Sequence, residues 1–239
     1  MEIDKALVFD LWGDYGHFRK IETTTSPLTY SIPPITALNG LVAAILGFSR
    51  DSYYEIFSRE NIKFGIRVQN PIKKVNVNIN LVNTSKGFLL WDIKENPRSP
   101  TPFEFLKEPY YRIYVWIKDK EIYGKLKKYL EEHKSVFTPY MGLSELIANF
   151  KFVGEFDVYK KTATGDYVES VIKKDDDLKI NVDCLEEGMR WIVESIPFYM
   201  DNSRKVLDYI QVIFEQNGRP LKVSDGLIYR IGENNIVFL

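Results

Sequence analysis

A strict two-residue alternation between residues 75 and 81 is the feature that most constrains the fold of this chain. Four aliphatic side chains alternate there with three asparagines: Val75, Asn76, Val77, Asn78, Ile79, Asn80 and Leu81. Successive side chains of a β-strand point to opposite faces, so the pattern predicts a strand with one apolar and one polar face. A turn-like segment at 83–87 and a second apolar run at 88–93 follow, which predicts a β-hairpin over about residues 72–93.

Patterns elsewhere predict an α+β fold in two parts. Strands are predicted at residues 6–11, 63–69, 110–117, 150–159, 178–182, 189–198, 206–214, 221–231 and 235–239, and helices at residues 34–46, 51–58, 121–134 and 141–148. A segment with three prolines, Pro97, Pro100 and Pro102, predicts a loop without regular structure. Because the predicted helices stop near residue 150, we expect an α+β domain over residues 1–150 and a β-rich region over residues 151–239.

The composition favours a soluble globular protein. Hydrophobic residues make up 45% of the 239 residues and charged residues 27%, and no run approaches the roughly 20 apolar residues of a membrane helix. Acids near the N-terminus do not fit a signal peptide, so we expect a cytoplasmic protein without membrane contact. The single cysteine, Cys184, excludes an internal disulfide and a cysteine-rich zinc site.

The charge distribution leaves nucleic-acid binding open. The net charge is −1, but residues 1–120 carry 16 basic and 13 acidic residues, and residues 121–239 carry 16 and 20, which gives +3 and −4. No acid lies between Glu60 and Asp92, whereas this window holds five Lys and Arg residues. An acid-free basic window suits a polyanion, because each neutralised phosphate releases counterions. A solvated basic face balanced elsewhere in the fold explains it equally well.

Polar side chains in two segments are candidates for RNA contact. Asparagine is depleted in strands, so the row at residues 76, 78 and 80 could present donors and acceptors to bases or sugars, or could be a solvated hairpin face. His17 lies beside two cations after the first strand, where it could contact RNA, act as a general acid or base, or hold a loop. Tyr30 is either a core aromatic or a projecting loop residue.

The usual enzyme motifs are absent from the sequence. It has no phosphate-binding glycine-rich loop and no nucleophile elbow. Its two histidines, His17 and His133, are not at a metal-ligand spacing. We therefore expect no metal and no cofactor.

A family signature is matched between residues 9 and 47, in the stretch FDLWGDYGHFRKIETTTSPLTYSIPPITALNGLVAAILG. The matching residues are Gly13, Tyr15, Phe18, Arg19, Tyr30, Pro33, Ala37, Gly40, Leu41, Leu46 and Gly47. This stretch resembles the N-terminal signature of CRISPR-associated RAMP-superfamily subunits that cap the 5′ handle of the guide RNA (crRNA) in type I Cascade complexes. Residues 96–116, 139–145 and 232–239 are also similar, and the overall pattern is closest to subtype I-B members.

The resemblance implies a ferredoxin-like (RRM-like) RAMP domain with a long β-hairpin thumb, followed by a variable β-rich region. It implies a non-catalytic subunit that binds the crRNA 5′ handle, contacts the Cascade backbone and large subunits, and meets target DNA only through the complex. The thumb would be the hairpin at residues 72–93. From the residues and the resemblance together, we expect RNA contacts from His17, Arg19, Lys20, Tyr30, Lys73, Lys74, Asn76, Asn78 and Lys86.

One branch of the family, in subtype I-C, implies an alternative function. Its members cleave precursor crRNA with a tyrosine, a lysine and a histidine. Tyr30 could correspond to that tyrosine, but no Lys-His pair follows it, and His133-Lys134 has the reversed order. The alternative is therefore a metal-independent endoribonuclease that uses His17 and Tyr30.

Overall fold

The computed structural model describes residues 3–23, 25–82, 98–174, 177–181 and 186–239. In these ranges the helices are α1 (Ile35–Leu46) and α2 (Lys120–Glu131). The strands are β1 (Lys5–Trp12), β2 (Tyr15–Gly16), β3 (Ile62–Val68), β4 (Lys73–Val82), β5 (Arg98–Lys107), β6 (Tyr110–Ile117), β7 (Asn149–Thr162), β8 (Asp166–Val168), β9 (Ile172–Lys173), β10 (Lys179–Ile180), β11 (Trp191–Met200), β12 (Val206–Glu215), β13 (Leu221–Asp225), β14 (Leu227–Ile231) and β15 (Asn234–Ile236). The described chain is therefore rich in β-structure.

Six strands form one antiparallel sheet in the order β15–β14–β7–β1–β6–β3. Four of them alternate with the two helices along the chain as β1–α1–β3–β6–α2–β7, with β2, β4 and β5 inserted between these elements. The strands predicted at 6–11, 63–69, 110–117 and 150–159 are confirmed as members of this sheet. Because β14 pairs with β7, the C-terminal part of the chain extends the sheet that the first part begins.

β1 is buried on both faces, which explains its uninterrupted apolar run. Leu7, Phe9 and Leu11 belong to the core that also contains the buried residues of both helices. Ala6 and Val8 point the opposite way, into a second core formed with residues of β14 and β15. The main sheet is therefore covered by helices on one face and by the chain terminus on the other.

Helix α1 confirms the prediction for residues 34–46 and is closed by a glycine. Pro34 is the N-cap, one position before the first helical turn. Gly47 has φ +83 and its N–H donates to the carbonyl oxygens of Ala43 and Ala44, so it ends the helix in the left-handed conformation. A Cβ at Gly47 would lie 2.8 Å from Val136, so the residue also permits a close approach by the segment after α2.

The first strand of the predicted hairpin is confirmed as β4, and its partner in the structure is β5. β4 pairs with β5 over ten residues, and residues 88–93 lie outside the described residues, as do the turn at 83–87 and Lys86. The prediction of an irregular loop at Pro100 and Pro102 was wrong. In an antiparallel pair, only alternate residues of a strand donate their N–H to the partner strand. Pro100 and Pro102 are two positions apart, so both can occupy positions whose N–H would face away from β4.

The short helices predicted at 51–58 and 141–148 were also wrong, since both segments form turns. Asp51 has φ +63, and its carboxylate accepts bonds from the guanidinium of Arg204 at 2.8 and 3.0 Å, so it holds a turn against a distant hairpin. Gly142 has φ +92, and a Cβ there would lie 2.0 Å from the His17 carbonyl oxygen. Helix α2 begins one residue before its prediction and ends three residues before it.

The C-terminal region adds two three-stranded sheets, β10–β13–β8 and β11–β12–β9. The predicted strands at 189–198 and 206–214 are confirmed as the long hairpin β11–β12. The predicted strand at 178–182 is confirmed for Lys179–Ile180, and Val182 and Cys184 lie outside the described residues. Because residues of β11 and β12 belong to the helix-covered core, this hairpin packs onto the first part of the chain. The division into two domains at residue 150 stays a prediction.

Candidate nucleic-acid interface

The β4–β5 hairpin presents two chemically different faces. Directly paired residues of an antiparallel ladder point to the same face. The polar face therefore carries the asparagine row together with the β5 partners of these residues, which are Glu104, Pro102 and Pro100. Asn76, Asn78 and Asn80 are all exposed, as the alternation predicted. Their amide groups form a row two residues apart that is available to a ligand.

At the base of the polar face, Lys74 is already occupied by its own chain. Its Nζ donates to the Thr29 carbonyl oxygen at 2.8 Å and to Glu104 Oε1 at 3.2 Å. Glu104 Oε1 also accepts the Thr29 backbone N–H at 3.1 Å. The predicted RNA-binding lysine thus ties the threonine-rich loop between β2 and α1 (residues 17–34) to the hairpin, so an RNA phosphate would have to compete with an existing ion pair.

Lys73 differs from Lys74 in the direction of its side chain and in the residues beside it. The alternation places the Lys73 side chain on the face opposite the asparagine row. Its cross-strand partner is another lysine, Lys107, and both residues are exposed. Among the described residues, no carboxylate lies within ion-pair distance of either ammonium group.

Beyond Lys73, the β4 residues on the second face of the hairpin are all apolar. Val75 pairs with Phe105, and Val77 pairs with Phe103 one layer closer to the tip. Towards the tip this face is not covered, since Val77 is 43% exposed and Leu81 41%. The hairpin is therefore amphipathic, and packing within the described residues covers only its base.

His17 is part of the hairpin base rather than of an exposed site. It is 1% exposed, and its ring packs against Phe103 and Phe105 at centroid distances of 5.4 and 5.5 Å. Its Nδ1 lies 2.7 Å from the Glu104 carbonyl oxygen, so the tautomer with a proton on Nδ1 donates to that oxygen. Burial lowers the pKa of His17 below its ordinary value, and the ring stays neutral at pH 7.

Tyr30 is also buried, which selects the core alternative for this residue. It is 2% exposed, and its hydroxyl has no hydrogen-bond partner among the described residues. Burial raises the pKa of Tyr30 to about 12, so the phenol keeps its proton. The Lys20 Nζ lies 5.4 Å from the centre of its ring. The two side chains named by the nuclease alternative are thus both inside the protein.

Glu194, which no sequence pattern indicated, bonds to two residues of this loop. Its carboxylate is 8% exposed and accepts three bonds: Lys20 Nζ at 3.1 Å, the Ser31 N–H at 2.9 Å and the Ser31 Oγ at 3.0 Å. Lys20 is therefore committed within the chain, like Lys74. Glu194 lies on β11, 163 residues after Ser31, and no local pattern could connect the two.

Arg19 is the loop cation that remains exposed. Its backbone forms an isolated bridge with Thr29, and its guanidinium donates to the Thr23 carbonyl oxygen at 3.1 Å. That bond uses one of five donors, so the side chain keeps capacity for a phosphate. Of the predicted RNA contacts, the structure brings together Lys74, Asn76 and Asn78 on one surface, puts Lys73 on the reverse and leaves Arg19 on the adjoining loop.

Among the described residues, no helix is long and apolar enough to cross a membrane. Within the same ranges, no group of three His, Cys, Asp or Glu side chains is placed to hold a metal ion.

A family model described as CRISPR-associated protein (Cas_Cas5) matches residues 6–225. This chain belongs to that family. The family prediction is thereby confirmed, while subtype I-B stays a prediction. No curated protein matches the chain at a significant level.

Solved structures of CRISPR proteins share the fold of this Cas5-family chain. A CRISPR protein from Archaeoglobus fulgidus is 17% identical, with 97% of each chain covered and a TM-score of 0.54. A chain of a CRISPR RNA-guided surveillance complex is 13% identical, with 90% of this chain and 91% of that chain covered and a TM-score of 0.56. At these identities the likeness concerns the fold alone.

Proposed function

We propose that this chain is a non-catalytic RNA-binding subunit of a type I CRISPR surveillance (Cascade) complex that binds the 5′ handle of crRNA. In that complex it would contact the backbone and large subunits in the cytoplasm and meet target DNA only through the assembly. The observation that carries the proposal is an exposed hairpin face with a row of three asparagines, whose side chains have no hydrogen-bond partner among the described residues, in a chain of the Cas5 family. Amide groups in a row suit the edges of unpaired bases and the sugar hydroxyls of RNA.

The connectivity of the main sheet supports the ferredoxin-like part of the proposal. Four strands of this sheet lie side by side in the spatial order β7–β1–β6–β3. Along the chain, these four strands follow one another as β1, β3, β6 and β7. The resulting spatial order is 4-1-3-2, with one helix after the first strand and one after the third. This is the βαββαβ arrangement of RRM-like domains, in which the inserted hairpin would serve as the thumb.

The burial of His17 and Tyr30 supports the non-catalytic part. A general acid or base must reach the proton that it transfers, and both side chains are at most 2% exposed. The lowered pKa of His17 leaves no imidazolium acid at pH 7, and the raised pKa of Tyr30 leaves no phenolate base.

The test mixes the purified full chain with labelled CRISPR repeat RNA in EDTA. We expect a shifted band on a native gel and intact RNA on a denaturing gel. A variant, Asn78→Asp, adds one negative charge to the polar face at nearly constant volume and should weaken binding about fivefold through phosphate repulsion. The matched control is Asn202→Asp, the same substitution in the exposed turn between β11 and β12, which should leave binding unchanged.

Each other outcome has a definite meaning. A discrete cleavage product would contradict the non-catalytic assignment. Equal weakening by both variants would mean that overall charge, and not the hairpin face, governs binding. No shift with wild-type protein would contradict the proposed RNA binding.

A further inference from the structure

Three side chains lie in one row across the base of the hairpin sheet. Tyr15 of β2 pairs with Lys107 of β5, and Lys107 pairs with Lys73 of β4. Directly paired residues share a face, and neighbouring strands lie about 4.8 Å apart, so the row spans roughly 10 Å from tyrosine to the second lysine. The edge-on contact of Tyr15 with Phe105, at 6.3 Å between centroids, places the tyrosine on the same face as the apolar β5 side chains.

A directly opposed lysine pair is unfavourable unless something neutralises it. Other lysines near this site have a carboxylate of the chain, as Lys74 has Glu104 at 3.2 Å and Lys20 has Glu194 at 3.1 Å. Lys73 and Lys107 have none within 4.0 Å among the described residues. The two acids next to this row in the chain, Asp14 and Glu108, therefore do not form ion pairs with it there.

Tyr15 adds an exposed aromatic ring to this row. Its side chain is 42% exposed, and its ring contacts the Phe105 ring edge-on. An exposed aromatic ring can stack on any base, since every base has a π-face, and such stacking tolerates different sequences. A ring followed by two ammonium groups thus presents, in order, a surface for a base and donors for a phosphate.

We propose that Tyr15, Lys107 and Lys73 form a nucleotide-binding row for single-stranded RNA, with a base stacked on Tyr15 and a phosphate held between the two lysines. This inference rests on the proposed RNA-binding function and adds to it a contact surface on the face opposite the asparagines. At the base of the hairpin, the protein would then contact mainly the phosphate backbone of the RNA. Along the polar face, the asparagine amides would contact the RNA.

An acidic peptide is the competing ligand, because carboxylates also neutralise lysines. The exposed ring favours RNA, since a nucleotide supplies an aromatic face and an anion at fixed separation, whereas an acidic peptide supplies only the anions. The experiment therefore includes both probes: a labelled single-stranded repeat RNA and a labelled oligoglutamate peptide.

The decisive variant is Lys107→Glu in the full chain. It converts the repelling pair into an attractive one, so the melting temperature should stay the same or rise while RNA affinity falls roughly tenfold. The slope of log K against log salt should decrease in magnitude by about 1 to 2, because one cation is lost and one anion is gained. The control is Lys160→Glu, a charge reversal of an exposed lysine on β7, which should change neither binding nor slope.

A second pair of variants separates stacking from charge. Tyr15→Ala should weaken RNA binding at least about fivefold, whereas Tyr15→Phe should keep it, because stacking needs the ring and not the hydroxyl. If the wild-type chain binds RNA and the Lys107→Glu and Lys160→Glu variants bind it equally well, the proposed nucleotide-binding row is wrong and the proposed function stays intact. If the chain binds oligoglutamate more tightly than RNA and Lys107→Glu abolishes that binding, the ligand of the row is an acidic peptide and the proposal is wrong. No RNA binding by the wild-type chain would overturn both proposals.

Discussion

The threonine-rich loop and the β4–β5 hairpin carry similar polar and basic residues but use them in opposite ways. In the loop, Lys20 is bonded to a buried carboxylate and Tyr30 is inside the core. In the hairpin, Asn78 and Lys73 are exposed and have no side-chain partner among the described residues. The comparison shows that a polar residue in a basic segment indicates a ligand only once its partners within the fold are known.

The two segments differ because other elements of the chain bond to the side chains and backbone of the loop. The loop is covered by β11, whose Glu194 reaches Ser31 and Lys20, and by the hairpin base, whose Glu104 reaches Thr29. Beyond its base, the hairpin exposes its asparagines, and their side chains have no hydrogen-bond partner among the residues that the structure describes. The loop is thus a stabilising element, whereas the hairpin keeps its polar side chains exposed.

The substitution Glu194→Ala tests most directly whether the loop is held by bonds within the protein. Removing a buried carboxylate that accepts three bonds leaves Lys20 and the Ser31 N–H without partners, and should lower the free energy of unfolding by about 3 kcal/mol. Denaturant unfolding would measure it. Glu145→Ala, at an exposed position, is the control and should change stability by less than about 0.5 kcal/mol. A similarly small effect at Glu194 would show that the loop does not depend on this network.

A smaller effect should separate two buried tyrosines of the same region. The Tyr111 hydroxyl donates to the Ser31 carbonyl oxygen at 2.7 Å, so Tyr111→Phe should cost about 1 kcal/mol of stability. Tyr30→Phe removes a hydroxyl that has no partner among the described residues and should be neutral or stabilising. Thermal melts of the two variants give the comparison directly. A larger loss for Tyr30→Phe would indicate a partner that this structure does not show.

The smallest expected effect is a pH dependence from His17. Its pKa is lowered by burial in the folded state, so between that value and the unfolded value of about 6.5 the unfolded chain binds more protons. Its contribution to stability is therefore complete above pH 6.5 and is lost as the pH falls towards the folded pKa. Unfolding free energies at pH 7.5 and pH 5.5 should differ more for wild-type protein than for His17→Asn. Equal differences would place the ring in contact with solvent.

Much of the fold could be predicted from the sequence because its signals are local. The continuous apolar run of β1, the glycine that closes α1 and the alternation of β4 each depend on a few adjacent residues. The strand β5 was missed because prolines usually break strands, and only the pairing with β4 shows that Pro100 and Pro102 are tolerated. The turn at Asp51 was missed because its carboxylate is fixed by Arg204, 153 residues away.

The candidate site was predictable in composition but not in arrangement. The exposed asparagines follow from strand alternation alone. The separation of Lys73 from Lys74 follows from the same rule, but the ion pair that occupies Lys74 depends on the fold. Glu194 and the Lys73–Lys107 pair both depend on strand partners far along the chain, which a single sequence does not reveal.

The prolines of β5 give the hairpin two unequal edges. The outer edge of β5 lacks two N–H groups, at Pro100 and Pro102, so another strand could bond there only discontinuously. The outer edge of β4 contains no proline between residues 73 and 82 and keeps every N–H. Growth of this sheet by addition of a further strand is therefore directional. A strand that joins the sheet along β4 can form a continuous ladder, whereas one along β5 would be interrupted at both prolines.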